Sequence, residues 1–205
     1  MATNFPGSAL DDFSTLQPWS DGTTVVEAAP LNNVQDAIDG LQDKVGINAS
    51  PVASSLDFAL RKAYVKVSDV KANTDGGTST SATWHTRVLN TEDNDAGSLC
   101  SLSSNQVTLS AGTYRCRCSA PAYSGQAHHL RLYNTTGSAV LLQGGAGYCG
   151  TDVNRVTVEG QFTVAAGQAL ELQHYITIGV GTTGLGRKVG TANSIYAIGE
   201  FWKLY

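Results

Sequence analysis

The sequence predicts a mainly β protein, with a β-sandwich or barrel from residue 64 to the C-terminus. Apolar residues recur with period two from Tyr64 onward, and clusters of Gly, Ser, Thr and Asn divide this pattern into short segments. About nine short strands with no helical segment between them are typical of a sandwich or barrel. A helical period confined to residues before Tyr64 predicts a short coiled-coil-like helix, preceded by an extended arm.

Strands are predicted wherever the alternation is sustained between two turn signals. Their ranges are 64–70, 83–89, 106–109, 112–122, 128–134, 140–144, 155–164, 169–178 and 194–204. The sequence has no internal repeat of fixed length, which argues against a propeller or a solenoid. The predicted organisation is therefore an arm over residues 1–30, a helical linker over 31–63 and a β domain over 64–205.

The charge balance disfavours several classes of function. With 13 Lys and Arg against 17 Asp and Glu, the net charge is −4, so we expect no phosphate-binding surface and no nucleic-acid partner. No segment approaches the ~18 consecutive apolar residues of a membrane span, so we expect no membrane insertion. The first seven residues lack the layout of a secretory signal, and we therefore expect folding in a cytosol.

The cysteines lack the spacing of a zinc site, and the sequence predicts neither a metal nor a cofactor. Cys116 and Cys118 alternate beside Tyr114, so on a strand all three side chains point to one face. We interpret the two thiols as small buried apolar groups. A disulfide within the set of four, which also contains Cys100 and Cys149, is the alternative, and folding in a cytosol disfavours it.

The first 30 residues show no sustained period and are too polar to form a core of their own. An extended arm that docks on a partner surface would bury the aromatic and apolar residues scattered there. A poorly ordered terminus is the alternative. The predicted docking residues are Phe5, Phe13, Leu16 and Trp19.

A compact helical pattern follows in the linker. Asn32 and Asn33 are favourable N-caps and Gly46 is a favourable terminator, so we predict a helix of about 13 residues between them. Its apolar residues recur at steps of four, three and four, as in a coiled-coil seam. A helix this short must bury the seam against the β domain or against copies of itself, and we favour copies. The seam consists of Val34, Ile38, Leu41 and Val45, and a second short helix or turn is predicted over 54–62.

Several motifs follow one another in the β domain, at 84–90, 107–114, 130–134, 158–164, 169–172 and 195–202. In this order they resemble the jelly rolls of the tumour-necrosis-factor and complement-globular-head kind. In that family an apolar-Gly-x-Tyr element, here Ala111 to Tyr114, begins a central strand, and a late aromatic strand closes the sheet. The resemblance implies a trimer with one face of the C-terminal strand buried near the three-fold axis. The residues that it assigns to this core or subunit contact are Tyr196, Phe201, Trp202 and Tyr205.

The linker carries a second resemblance. Residues 31–39 and 54–58 are similar to short linkers in tailed-bacteriophage virion proteins, in which a brief coiled coil joins a virion-bound arm to an exposed head domain. This implies a head fibre, spike, tail appendage or decoration protein that is assembled in the host cytoplasm and located in the virion. The implied partners are copies of this chain, other virion proteins through the arm, and a host-surface glycan or protein.

The histidines form no catalytic motif, and the sequence predicts a protein that is not an enzyme. There is no Gly-x-Ser-x-Gly element and no pair of histidines at helical spacing. His128 and His129 are adjacent on a strand, so their rings face opposite sides. His174 lies on a strand whose inward positions are Leu170 and Leu172, and we interpret it as a surface or inter-subunit residue.

Three further segments have structural interpretations. Residues 144–147 and 179–186 are Gly-rich but lack the Gly-Lys-Ser/Thr ending of a phosphate loop, so we predict flexible surface loops. Residues 92–95 offer hard oxygen ligands for calcium but lack a full ligand series, so we predict a solvated loop.

The leading hypothesis is a virion structural protein that displays a trimeric jelly-roll head for host recognition. Aromatic residues in the head are candidate receptor contacts because their faces stack on sugar rings at small entropic cost. The alternatives are a capsid or collar decoration protein that only stabilises the particle, and a secreted trimeric ligand of the same fold. The candidate contacts are Trp84, Tyr123, His128 and Tyr148.

Overall fold

The computed structural model describes residues 28–45, 56, 64–190 and 192–204. The chain divides into two compact units, Met1–Arg61 and Lys62–Tyr205. No helix within the described ranges is both long and apolar enough to cross a membrane.

In the first unit the described residues form helix α1, Ala28–Val45. The helix is longer than predicted and begins four residues before Asn32, so Asn32 and Asn33 are not the N-caps that the sequence indicated. Pro30 is compatible with the earlier start, because backbone N–H groups in the first helical turn have no intrahelical acceptor and a proline there loses no hydrogen bond. Of the second predicted helix only Leu56 is described, and it is helical.

The second unit contains eleven strands within the described residues. They are β1 Tyr64–Ala72, β2 Thr83–Thr86, β3 Thr91–Asn94, β4 Cys100–Ser103, β5 Gln106–Leu109, β6 Gly112–Tyr123, β7 Gln126–Asn134, β8 Ala139–Cys149, β9 Val153–Val164, β10 Ala169–Ile176 and β11 Asn193–Lys203. All nine predicted strands are present with shifted ends, except that β5 matches its predicted range. Strands β3 and β4 were not predicted.

The strands form two antiparallel sheets. Sheet I has the order β3-β1-β11-β6-β9, and sheet II has the order β4-β5-β10-β7-β8, with β2 also paired to β10. Most neighbours in each sheet are distant in sequence, as in Greek-key connections, and two such sheets packed face to face make a jelly roll. The predicted mainly β jelly-roll sandwich is therefore confirmed.

The core lies between the inner faces of the two sheets. Burial alternates along the strands, as β10 shows by burying every second residue from Leu170 to Ile176. Three rings pack within the core: Tyr114 stacks on Phe162 at 5.9 Å, and Phe162 meets Phe201 edge to face at 6.4 Å. Further core residues are Val65, Val67, Val107, Leu109, Cys116, Cys118, Leu130, Leu132, Val158 and Leu172.

Strand β8 corrects the prediction of a flexible loop over residues 144–147, because all four residues lie inside this strand. A Cβ atom on Gly144 would come within 2.6 Å of the Thr157 carbonyl oxygen on β9. A Cβ atom on Gly147 would likewise crowd the side chain of Val156 on β9. These glycines therefore allow a close approach between β8 and β9, which belong to different sheets. Because glycine has no side chain, this part of β8 shows no alternation of apolar and polar residues in the sequence.

The segment over residues 179–186 is a loop, as predicted, but its second half is not a flexible surface. Leu185 is 8% exposed and packs in a small cluster with Ala122, Cys149 and Ile176 at one end of the sandwich. Backbone hydrogen bonds join the loop to the segment after β1, with Leu185 N donating to Gly77 O at 2.9 Å. The loop closes this end of the core.

The two unpredicted strands lie at sheet edges. β3 contains most of the acidic segment that was predicted as a solvated loop, and Lys66 of β1 lies 3.9 Å from Asp93. Charged side chains are common on edge strands, where they discourage pairing with another chain. β4 joins β5 through Ser104 and Asn105, both with positive φ, which is the type I′ hairpin turn.

Candidate functional site

The outer face of sheet II carries a continuous group of aromatic and polar side chains. Three cross-strand rows follow from the register of β7, β10 and β2. The rows are Tyr133–Glu171, then Arg131–Gln173–Thr86, then His129–Tyr175–Trp84. We call Trp84, His129, Arg131, Tyr133 and Tyr175 the aromatic ladder.

The ladder is closely packed. The guanidinium carbon of Arg131 lies 3.8 Å from the centre of the Trp84 ring and 4.7 Å from that of Tyr133. His129 stacks on Tyr175 at 5.5 Å with an interplanar angle of 12°, and the Trp84 ring meets both of them edge to face. All five side chains are partly exposed, so the ladder forms a surface rather than a second core.

A hydrogen-bond network orients the polar members of these rows. Arg131 Nε donates to Gln173 Oε1 at 2.8 Å, and Gln173 Nε2 donates to Glu171 Oε2 at 2.7 Å. The Glu171 carboxylate also accepts bonds from Thr86 Oγ1 at 2.8 Å and Gln106 Nε2 at 3.0 Å.

These environments set the charges of the patch. Burial alone would raise the pKa of Glu171, but hydrogen bonds from Gln106, Gln173 and Thr86 outweigh it, and the pKa is lowered. Burial, assisted by nearby Arg131, lowers the pKa of His129. At neutral pH the patch therefore carries a carboxylate with engaged oxygens, a neutral imidazole and a guanidinium.

The four predicted receptor contacts do not form one site. Trp84 belongs to the ladder, and Tyr148 is 63% exposed on β8 of the same sheet. Tyr123 lies elsewhere, with the guanidinium of Arg187 5.5 Å from its ring centre. His128 is 1% exposed, so its side chain lies in the interior and not on the surface with the other three.

Four ladder residues were not predicted as contacts, namely His129, Arg131, Tyr133 and Tyr175, although their alternation along β7 and β10 is visible in the sequence. His129 alternates with Arg131 and Tyr133, and Tyr175 alternates with Gln173 on the neighbouring strand. Strand parity indicates that each set faces outward. It does not indicate that the two strands are adjacent, which depends on the order of the sheet.

The inner side of the same strands holds a buried histidine pair. His128 Nδ1 lies 2.9 Å from His174 Nε2, and His174 is fully buried. The interpretation of His174 as a surface or inter-subunit residue is therefore wrong, because it continues the inward parity of Leu170 and Leu172. The expectation that His128 and His129 face opposite sides is confirmed.

Arg87 lies fully buried beside this pair. Its Nη2 donates to Leu185 O at 2.8 Å, and Nη1 lies 3.4 Å from Pro121 O, so it ties the closing loop to strand β6. Burial lowers the pKa of Arg87 to about 10, and nearby Asp69 opposes this shift. Burial, and then the charge of Arg87, lowers the pKa of His174 to about 2.

A group of possible metal ligands lies near the acidic segment. Ligand atoms of Glu92, Asp95 and Cys100 fall within 4.8 Å of one another. The Asp95 carboxylate already accepts backbone N–H bonds from Leu99 at 2.7 Å and Cys100 at 2.9 Å. Burial and the two carboxylates raise the pKa of Cys100 to about 12, so the thiol stays protonated. The hydrogen bonds of the turn into β4 therefore explain why these side chains lie close together.

Two of the four cysteines were predicted to be buried apolar groups, and both are. Cys116 and Cys118 are buried on the same face of β6 as Tyr114. All four cysteines are free thiols in this structure.

The residues predicted for subunit contact fall into two groups. On α1, Ile38 is partly exposed, whereas Leu41 is 62% and Val45 50% exposed. On β11, Tyr196 and Phe201 are buried within the chain. Trp202 packs against Tyr64 on the outer side of sheet I, with ring centres 5.3 Å apart and the rings tilted by 33°. Tyr205, the side chain of Val34, and the arm residues Phe5, Phe13, Leu16 and Trp19 lie outside the described residues.

Sheet I exposes apolar side chains at one end. Val153 of β9, Ile195 of β11 and Val189 before β11 are exposed and line one shallow groove with Arg155. Arg155 Nη1 donates to Ser119 Oγ at 3.0 Å and Nη2 to Ile195 O at 3.1 Å. We call Val153, Val189 and Ile195 the apolar end of sheet I.

Comparison with known proteins gives similarity in chain course at low sequence identity. The globular domain of zebrafish complement 1qA protein aligns with 70% of this chain and 98% of its own, at 15% identity and a TM-score of 0.47. Murine APRIL, crystallised at pH 5.0, aligns with 68% of this chain and 97% of its own, at 8% identity and a TM-score of 0.46. No family model and no curated protein matches the sequence. The jelly-roll assignment rests on the strand order of this chain.

Proposed function

We propose that this protein is a non-enzymatic display module of a phage virion, with a trimeric jelly-roll head that recognises a host-surface glycan or protein. The observation that carries the proposal is the aromatic ladder. The core is filled by the inner faces of the two sheets, so the ladder is not needed to complete it. Aromatic and arginine side chains gathered on an exposed sheet face are typical of binding surfaces.

Self-association into a trimer is supported by exposed apolar surface in each unit. Leu41 and Val45 lie four residues apart on α1, and a short helix with such a stripe gains stability by packing against copies of itself. The apolar end of sheet I offers a second contact surface. Because β11 runs through the centre of sheet I, this surface includes part of the C-terminal strand that the resemblance assigns to subunit contact.

The virion setting rests on the sequence resemblance of residues 31–39 and 54–58 and on the aromatic content of residues 1–30. In this proposal the arm binds other virion proteins and the head faces outward, after assembly in the host cytoplasm. The ladder favours recognition over simple stabilisation of a capsid or collar, because a decoration protein has no need of an outward aromatic surface.

The test compares host adsorption by particles that carry the unchanged protein or the Trp84→Ala variant. We expect equal incorporation and at least tenfold slower adsorption of the variant, the effect of losing about 1.4 kcal/mol or more of binding free energy. Tyr123→Ala is the matched control, because Tyr123 is also an aromatic ring beneath a guanidinium but lies outside the ladder.

Normal adsorption of Trp84→Ala particles would contradict recognition through the ladder. If, in addition, particles that lack the protein altogether lost integrity, the decoration role would replace the display role. Failure to find the protein in particles, by antibody labelling of negatively stained samples, would contradict the virion setting itself.

A further inference from the structure

We infer that the aromatic ladder binds a carboxylate-bearing sugar, with Arg131 holding the carboxylate and the Trp84–Tyr175–His129 row supporting the sugar ring. This inference rests on the proposed recognition function and names its ligand class. It follows from three features of the ladder: an unpaired cation, a guanidinium fixed in position, and a neighbouring row of rings at a suitable spacing.

The unpaired cation is Arg131. Its Nε is bonded to Gln173, but among the described residues its two terminal nitrogens have no hydrogen-bond partner and no carboxylate lies at ion-pair distance. Glu171 is the acidic residue of the three rows, and its oxygens are already engaged by Thr86, Gln106 and Gln173. The patch therefore retains one positive charge that a ligand carboxylate can neutralise.

The guanidinium is also held in place before any ligand arrives. Its central carbon lies 3.8 Å from the centre of the Trp84 ring and 4.7 Å from that of Tyr133, and the bond from Nε to Gln173 restricts its rotation. A planar guanidinium binds a carboxylate through two parallel hydrogen bonds, and prior ordering reduces the entropy lost on binding. This geometry favours a carboxylate, because its two oxygens can accept the two parallel N–H groups of the guanidinium.

The row of rings explains why the carboxylate should belong to a sugar. Side chains two residues apart on one strand face are separated by about 7 Å, so His129 and Tyr175 lie one row away from Arg131. That spacing suits a six-membered sugar ring whose carboxylate reaches the arginine. Aromatic rings stack on the apolar face of such a ring. Thr86 of β2 and the exposed Gln143 of β8, which lies opposite Arg131 of β7, can bond its hydroxyl groups.

The experiment measures binding of glucuronic acid and N-acetylneuraminic acid to the full-length protein, by ligand-observed NMR and calorimetry. The methyl ester of glucuronic acid is the matched neutral probe. We expect both acids to bind and the ester to bind at least tenfold more weakly, with the difference shrinking as salt screens the charge. This comparison uses the unchanged protein, so it does not depend on a variant that folds.

Variants assign the effect to residues. Arg131→Gln should weaken binding of both acids at least tenfold while leaving the ester unaffected. Trp84→Ala should weaken binding of the ester as well, and of the acids more, because Trp84 also holds the guanidinium in place. Arg115→Gln, which changes an exposed arginine on sheet I, should leave all three unchanged. A cooperative thermal transition verifies that each variant is folded.

Equal binding of acid and ester, or no binding of either acid at about 10 mM, ten times the Kd of a weak site, would overturn the inference. If the acids fail but Trp84→Ala still slows host adsorption, the ladder recognises another ligand, such as a protein, and the display function stands. If the acids bind but Trp84→Ala particles adsorb normally, the sugar site is real and the proposed function is wrong.

Discussion

At the scale of single residues, His174 shows how strand register creates an environment that residue type does not suggest. Histidine is usually found at least partly exposed, yet the inward parity of β10 places this one against His128 and near Arg87 in the interior. Burial and the neighbouring cation both disfavour the imidazolium. The folded protein therefore keeps His174 neutral to a pH far below the ordinary histidine range.

This makes stability depend on pH. Above about pH 6.5 His174 is neutral in both the folded and the unfolded chain and contributes no pH dependence. Below that pH the unfolded chain takes up a proton that the folded protein, with a pKa of about 2, does not. The free energy of unfolding should thus fall by roughly 2–3 kcal/mol between pH 6.5 and 4.5 from this group alone, with His128 acting in the same direction.

Urea unfolding at a series of pH values measures the effect. His174→Gln preserves a hydrogen-bonding partner for His128 and should remove most of this slope. His85→Gln, on the neighbouring strand β2, should retain it. A His174→Gln protein with the same slope as the unchanged protein would contradict the argument.

At the scale of elements, the sequence located a strand well where apolar and polar side chains alternate along it. β5 and β6 have strong alternation between clear turns and were located well. β8 is interrupted by glycines whose role is close packing against β9, and β3 is a charged edge strand, so neither carries the pattern of a half-buried strand. The helix period located α1 but not its start.

The exposed stripe of α1 leads to a prediction about assembly. Light scattering of the unchanged protein should give about three times the 21.5 kDa chain mass. Leu41→Glu should raise the concentration at which the trimer dissociates at least tenfold, because three like charges would meet at the seam. Asp43→Lys, a charge change on the opposite side of the helix, should leave the trimer intact.

A single-chain mass for the unchanged protein would contradict the trimer. An unaltered trimer for Leu41→Glu would show instead that the seam is not a subunit contact, leaving the apolar end of sheet I as the candidate.

At the scale of the whole molecule, the division into Met1–Arg61 and Lys62–Tyr205 separates the proposed tasks of attachment and display. The second unit has a large core between its two sheets and a smaller apolar cluster at one end, where the loop over residues 179–186 packs. A domain of this size typically buries about two-thirds of the surface of its unfolded chain, which is enough for independent folding.

Deleting residues 1–30 should therefore leave a soluble protein that melts cooperatively and no longer joins the particle. Calorimetry and the protein content of purified particles measure the two outcomes. The full-length chain produced in the same way is the control. Normal incorporation of the truncated chain would mean that the jelly roll itself makes the attachment, and the decoration role would then be favoured over display.

The sequence by itself determined the mainly β class, the positions of most strands, the existence of α1 and the shared buried face of Cys116 and Cys118. These depend on periodicity and strand parity, which are local properties of the chain. Only the tertiary structure decided which outward-facing residues meet. Trp84, Arg131 and Tyr175 form one surface, and His128 and His174 one buried pair, because β2, β10 and β7 are neighbours in sheet II. That order is set by packing between segments far apart in sequence, and no local pattern encodes it.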